Sequence, residues 1–474
     1  MRRSIPLLVA ALVAALTAPA AVAAQDGLSA ADRQLARDIF RELIEINTTD
    51  SLGNTPRAAR AMAARLSAAG FPAADVQVLI GPDAKHGNLV ARYRGSGTGG
   101  RPIVTLAHLD VVPARRADWS VDPFAFLERD GYFYGRGTTD DKVGDAILVA
   151  DFIRLKRAGF KPTRDLILVL TGDEETAGSC AEWLVTKHRV LMDGEFALNT
   201  DAGGGVLRDG RRVMFAVQAS EKVYATYLLE AVDRGGHSSL PRPADNPIYR
   251  LAPLLERLAQ YQFPVKLNEI SRAFFERSAA IETGQLADDM RGVLKDPPDS
   301  AAVAHLSAVP FYNSKLRTTC VATMLDAGHA ENALPQSARA TVNCRILPGE
   351  PAAEVEAMLR RLAADDRITI RTAYTPTPSP PSPLTAAIMG PIERLVAEQF
   401  PQVPIVPLME AGATDGLFLR NAGIPTYGVS AVFEEQDDVR AHGRDERIRV
   451  QSFYEALEFW YRMMRAFAGS AAGD

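Results

Sequence analysis

Short apolar runs set between longer amphipathic stretches constrain this chain's fold more than any other feature. Residues 103–107 (Ile-Val-Thr-Leu-Ala), 166–170 (Leu-Ile-Leu-Val-Leu) and the shorter 196–199 are almost wholly apolar, as strands buried on both faces are. Helical patterns lie around them. Residues 31–46 set Leu35, Ile39, Phe40, Leu43 and Ile44 among acids and arginines. Residues 141–158 set Val143, Ile147, Leu148, Phe152 and Leu155 on one side, with Gly159 as a stop. Buried strands alternating with amphipathic helices predict an α/β domain on a mostly parallel sheet.

At 474 residues the chain exceeds the ~250–300 that one core serves, so a second unit is expected. The texture changes after Val217. Residues 224–232 read as a strand. Residues 339–347 alternate, with Arg339, Thr341, Asn343 and Arg345 on one face and Ala340, Val342, Cys344 and Ile346 on the other, which suggests a sheet covered on one side. Residues 351–363 read as a helix. Prolines 376, 378, 380, 381 and 383 then make a stiff, extended crossing. Helical patterns resume over 386–400 and 453–467. The reading is one domain of 25–217 and 376–474, with an inserted α+β unit over 218–375.

Composition narrows the partners. Lysine and arginine total 53 against 58 acids, so no basic excess exists to grip a polyphosphate, and a nucleic-acid partner is not expected. The start combines Arg2 and Arg3, an apolar run over 5–16 and Ala21-Val22-Ala23. It reads as a signal peptide over 1–24, implying a secreted or periplasmic protein with no membrane anchor after cleavage. Export permits a Cys320–Cys344 disulfide with Cys180 free; three small buried thiols are the preferred expectation.

Histidine is scarce, with seven in the chain, which makes its placement informative. His108 directly follows the 103–107 strand, and Asp110 lies two residues on. Asp140 stands before a helix in Gly135-Arg-Gly-Thr-Thr-Asp140-Asp-Lys. Glu174 and Glu175 follow the 166–170 strand, and Asp201 follows 196–199. His442 lies in Arg440-Ala-His442-Gly-Arg-Asp-Glu446. In open α/β sheets, sites form past the carboxyl ends of strands. Mixed imidazole and carboxylate donors suit zinc, and also cobalt or manganese. A carboxylate held between two such ions makes a cocatalytic pair, and a further carboxylate must then accept the water's proton. Adjacent Glu174 and Glu175 can divide those tasks. Other signatures fail. The glycine-rich stretch 95–100 precedes a strand instead of a helix, so it is no dinucleotide fingerprint, and neither His-Glu-x-x-His nor Gly-x-Ser-x-Gly occurs. His86, His188, His305 and His329 match no motif.

His108-Leu-Asp110-Val-Val-Pro, Trp119-Ser-Val-Asp-Pro-Phe124, Gly135–Lys142 and Asp173-Glu-Glu175, in this order, resemble the M20 family of dizinc metallopeptidases, and most its carboxypeptidase S and aminoacylase-like branch. The resemblance implies two zinc ions bridged by Asp140, one completed by His108 and Asp201, the other by Glu175 and His442. It implies Asp110 as the group orienting His108, and Glu174 as general base and then acid. It implies His237, in Gly235-Gly-His237-Ser-Ser, as a donor to the oxyanion. Asn332, Arg345, Gly412 and Thr414 match substrate-binding positions, Arg345 gripping a carboxylate. The inserted unit becomes a lid and dimerisation domain, implying a homodimer. It is longer than the family's usual lid, the extra material falling roughly over 261–316.

The expected activity is that of a carboxypeptidase acting on small peptides beside a free carboxylate. An N-acyl-amino-acid hydrolase is an open alternative. A metal-stabilised binding protein without turnover is a third reading, against which the full ligand set and Glu174 count.

Overall fold

The computed structural model describes residues 27–469, so the signal peptide expected over 1–24 lies outside the described residues. In chain order the strands are β1 (Val76–Ile80), β2 (Gly87–Tyr93), β3 (Ile103–His108), β4 (Leu166–Thr171), β5 (Phe196–Asn199), β6 (Gly204–Arg208) and β7 (Arg211–Glu221). Next come β8 (Val223–Val232), β9 (Thr319–Ala327), β10 (Ser337–Ile346) and β11 (Ile368–Thr372), then β12 (Ile405–Glu410), β13 (Thr426–Gly428) and β14 (Phe433–Glu435). The chain builds most of one large sheet, leaves it after β7 for a second sheet, and returns at β12.

The large sheet runs β1-β2-β4-β3-β5-β13-β7-β6-β14, with β12 also paired to β7. Its centre is parallel: β4, β3, β5 and β13 run together, as do β7 with β12 and β6 with β14. Antiparallel pairs lie toward the edges. The continuous apolar runs have a direct cause. Leu166, Leu168 and Leu170 join the core under helices Ala30–Glu45, Lys142–Arg157 and Val450–Ala468. Ile167 and Val169 face a second core with Leu184 and Leu419. The Lys142–Arg157 helix, one-sided in sequence, is buried all round through Leu155; its Arg154 pairs with Asp151 (2.7 Å) and Glu458 (2.9 Å).

The second sheet runs β9-β10-β8-β11, antiparallel throughout. Its covered face, with Ala340, Val342, Cys344 and Ile346, packs under helices Pro247–Gln260 and Ala352–Ala363. Two sequence expectations change here. Cys320 and Cys344 face each other across β9 and β10 and form a disulfide, so the three-thiol reading gives way; only Cys180 is free and buried. The extra segment folds into helices Glu269–Ile281, Gly284–Gly292, Ser300–Ser307 and Pro310–Leu316. Their Phe274, Phe275, Met290 and Leu306 pack on Ala216, Val406 and Leu408 of β7 and β12, and so on the large sheet instead of the second one.

Candidate metal centre

Because β4, β3 and β5 are adjacent and parallel, their carboxyl ends open on one edge. His108 closes β3, almost wholly buried, with Thr171 of β4 beside it in register. The turn leaving β4 carries Glu174 and Glu175 to one side, and the turn leaving β5 carries Asp201 to the other. Asp140 arrives just ahead of the Lys142–Arg157 helix. His442 comes from the loop after β14, in left-handed conformation (φ 62°).

These five side chains meet as two triads sharing one member. Asp140 turns Oδ1 to His108 Nε2 (2.9 Å) and Oδ2 to His442 Nε2 (3.0 Å). Asp201 Oδ1 lies 3.7 Å from His108 Nε2, and Glu175 Oε2 lies 3.0 Å from His442 Nε2. Within each triad the donor atoms lie within 4.8 Å of one another. Among the described residues, none of Asp140, Glu174, Glu175 and Asp201 pairs with a lysine or arginine. Carboxylates gathered at such a partly buried edge need a counter-charge, and the mixed nitrogen and oxygen donors fit a pair of divalent cations.

The electrostatics follow from that crowding. Bonds to Asp140 and Glu175 hold the His442 imidazolium up at about 10. Burial opposes the charge on His108, but Asp110, Asp140 and Asp201 together raise it well above the usual value. Burial would raise Asp140, yet the two histidines pull it below the ordinary carboxylate range. Burial, reinforced by Asp140 and Glu175 against the pull of His108, lifts Asp201 to about 7. Glu174 stands apart. Burial and then the charge of Asp201 push its carboxyl well up. Among the described residues its carboxyl bonds to neither triad, and the charges of Asp201 and His108 act on it, whereas Glu175 is bonded to His442.

Asp110 stands against the His108 ring and also serves the turn beside it. His108 Nδ1 donates to the Asp110 main-chain oxygen (3.1 Å), while the carboxylate lies 3.6 Å away. That carboxylate also accepts from the N–H groups of Glu174 (3.1 Å) and Glu175 (2.9 Å) and holds their turn. Two residues the sequence reading passed over complete the frame. Buried Glu446 accepts from the N–H groups of Gly137 (3.1 Å), Thr139 (2.7 Å) and Asp140 (3.3 Å). Arg136 joins Glu446 (2.6 Å) to the Gly443 carbonyl (2.8 Å), tying the Asp140 turn to the His442 loop. Both lie inside the quoted motifs; only their long-range contact sets them apart.

The substrate-binding positions are less concentrated. His237 and Asn332 lie together on the small ribbon of Gly236–His237 and Ala333–Leu334, where Ser238 N–H donates to Asn332 O (3.0 Å). His237 is exposed and bonded to Ser239 Oγ (2.7 Å), and touches neither triad. Arg345 stacks over Tyr224 at 4.4 Å and donates to Ala411 O (3.3 Å), which brings it to the loop of Gly412. Gly412 faces open space. Thr414 does not: its buried hydroxyl donates to Glu221 (2.9 Å), so it braces the loop from within.

Comparisons with known proteins agree with this architecture. The chain is 30% identical over 388 residues to the human N-fatty-acyl-amino acid synthase/hydrolase PM20D1, covering 78% of this chain and 75% of that one. It is 28% identical over 390 residues to the probable carboxypeptidase S-like 2 of Dictyostelium discoideum, covering 80% and 74%. The M20 family metallo-carboxypeptidase Sso-CP2 of Sulfolobus solfataricus shares its fold with a TM-score of 0.68 at 17% identity, over 91% of this chain and 99% of that one. The YXEP protein of Bacillus subtilis, a dinuclear metal-binding peptidase of the M20 family, shares the fold with a TM-score of 0.56 at 13% identity, over 93% of this chain and 98% of that one. The profile of peptidase family M20/M25/M40 matches residues 104–466, from β3 to the last helix, and this chain is a metallohydrolase of that family.

Proposed function

We propose that the protein is a dizinc exopeptidase of carboxypeptidase type, hydrolysing the amide beside a free C-terminal carboxylate in small peptides. The observation that carries this is the division between neighbours: Glu175 is bound into a triad, while Glu174 presents an uncommitted carboxyl beside the other. Held by His108, Asp140, Asp201, Glu175 and His442, two divalent ions, zinc or in its place cobalt or manganese, would supply Lewis acidity that lowers the pKa of water and polarises a carbonyl. Glu174 then takes the proton of the attacking water and returns it to the leaving amine nitrogen. His237 donates to the carbonyl oxygen as charge develops there. Arg345, with Asn332 and the Gly412 loop, holds the substrate's carboxylate through paired hydrogen bonds.

A second reading has a specific support. The human relative is named for N-fatty-acyl-amino acids, whose amide also adjoins a free carboxylate, so the same residues serve an N-acyl-amino-acid hydrolase. Kinetics on matched dipeptides and N-acyl amino acids with metal-loaded protein separate the two. For either, Glu174→Gln should keep both metals by elemental analysis and lower kcat about 10²–10⁴-fold; wild-type turnover in that variant would remove Glu174 from its role. Export belongs to the proposal too, supported by the basic and apolar start and by a disulfide of the kind that persists in oxidising compartments. So does a homodimer through the second sheet, whose edge strand β9 leaves Val321, Met324 and Leu325 exposed; sedimentation tests it.

A further inference from the structure

The chain leaves the large sheet at Glu221–Lys222 and returns along 374–384. Glu221 ends β7 and is fully buried. Its carboxylate accepts from Gln218 Nε2 (3.0 Å) on its own strand and from Ser379 Oγ (3.2 Å) on the returning crossing. It also accepts from Thr414 Oγ1 (2.9 Å) on the loop after β12 and pairs with the buried Arg420 guanidinium (2.7 Å) on helix Gly416–Asn421. Arg420 in turn donates to Ser379 Oγ (3.4 Å) and Thr426 O (3.2 Å).

The next residue continues the knot. Lys222 N–H donates to Glu410 O (2.9 Å), and its buried Nζ donates to Arg317 O (2.6 Å). Lys315, at the end of the extra helical segment, donates to the carbonyl of Met409. The stretch from Glu410 to Thr414 is thus held at both ends by the two residues of the outgoing crossing. Its middle, Gly412 and Ala413, is exposed, and Ala411 O receives Arg345 from the second sheet.

A buried ion pair whose carboxylate also takes three hydrogen bonds is stiff, and losing one of those donors disturbs the rest. Both crossings and the loop therefore move together or not at all. We infer that Glu221 is a positioning residue: its carboxylate sets the Gly412 loop against Arg345, and with it the register of the substrate's carboxylate end. This rests on the reading that Arg345 and that loop hold substrate. Ser379 is the discriminating neighbour. It sits on the returning crossing, and its side chain reaches the loop through Glu221 and through Arg420, which is itself paired to Glu221.

The test leaves the ion pair intact and compares Ser379→Ala, Thr414→Val, the double variant and Thr414→Ser in the metal-loaded enzyme. Ser379→Ala and Thr414→Val should each raise KM about tenfold, the lower end of what one hydrogen bond to a charged carboxylate is worth, with kcat nearly unchanged. They should also speed backbone hydrogen exchange over 410–416 but not in β3. The double variant should fall short of the sum, because both act through one carboxylate, and Thr414→Ser should restore wild-type behaviour. If Ser379→Ala leaves KM and loop exchange unchanged, or if exchange rises equally in β3, Glu221 is a structural brace alone and the inference falls. Should the wild type hydrolyse no amide on the panel, the substrate reading fails, and the exchange comparison still decides the coupling.

Discussion

The metal-binding edge and the crossing at Glu221 are both built from charged side chains that converge from distant parts of the sequence, yet they differ in what satisfies them. At the crossing the charged groups have partners within the chain: Glu221 pairs with Arg420, and Lys222 and Lys315 donate to main-chain carbonyls. At the edge, the two imidazoles are the only cationic partners, among the described residues, of a carboxylate group that outnumbers them. A closed knot fixes geometry. An open one, left short of positive charge on strand ends that cannot shift, receives ions.

The comparison breaks first at Asp140. Asp140→Asn weakens both triads at once, and should cost about 10³-fold or more in kcat/KM together with loss of bound metal by elemental analysis. A variant that kept both ions would show that the shared carboxylate is not what unites the sites. His237 should behave oppositely. His237→Ala is expected to lower kcat about 10²–10³-fold with metal content and unfolding temperature unchanged; release of metal from that variant would place the small His237 ribbon within the metal site.

Glu446 sharpens the distinction between holding ions and holding the holders. Glu446→Gln leaves Arg136 buried without its counter-charge and should destabilise the fold by about 3–5 kcal/mol. Metal affinity, read by competition with a chelator, should fall about 10–100-fold. Equal affinity would mean that the Asp140 turn needs no such support.

The smallest effect belongs to the crossing. Burial, with Lys315 and Arg345 adding to it, holds Lys222 down at about 7 from an ordinary 10.5. Between those two values the unfolded chain binds more protons than the folded one, so this residue makes stability rise with pH across that window. Below about 7 the full cost of a buried charge is present. Denaturant midpoints of wild type and Lys222→Met, followed from pH 7 to 10.5, should converge or cross as the wild type gains; parallel curves would mean that Lys222 does not titrate there.

Three central strands of the large sheet were legible from residues alone. The runs at 103–107 and 166–170 read as strands covered on both sides, and the structure sends Leu168 to one core and Ile167 to the other. The ligand positions were legible for a related reason: a histidine or acid placed just past such a run is delivered to the same edge as its neighbours whenever the strands are parallel. The segment over 261–316 was not legible. Its helices are amphipathic, but periodicity says only that one face is buried, not whether β7 and β12 or the second sheet will cover it. The disulfide was likewise open, because pairing requires β9 and β10 in a particular register that spacing does not state.

By itself, then, the sequence marked the candidate ligands and the end of the sheet at which His108, Glu174, Glu175 and Asp201 stand, since strand length and burial are local properties written in hydrophobicity. Tertiary structure alone decided that Asp110 holds a turn through its carboxylate, that Glu446 and Arg136 join two loops roughly three hundred residues apart, and that Thr414 turns inward to Glu221. Those choices depend on which donors lie within about 3 Å once distant segments meet, and a hydrogen bond has no reach beyond that to leave a pattern along the chain.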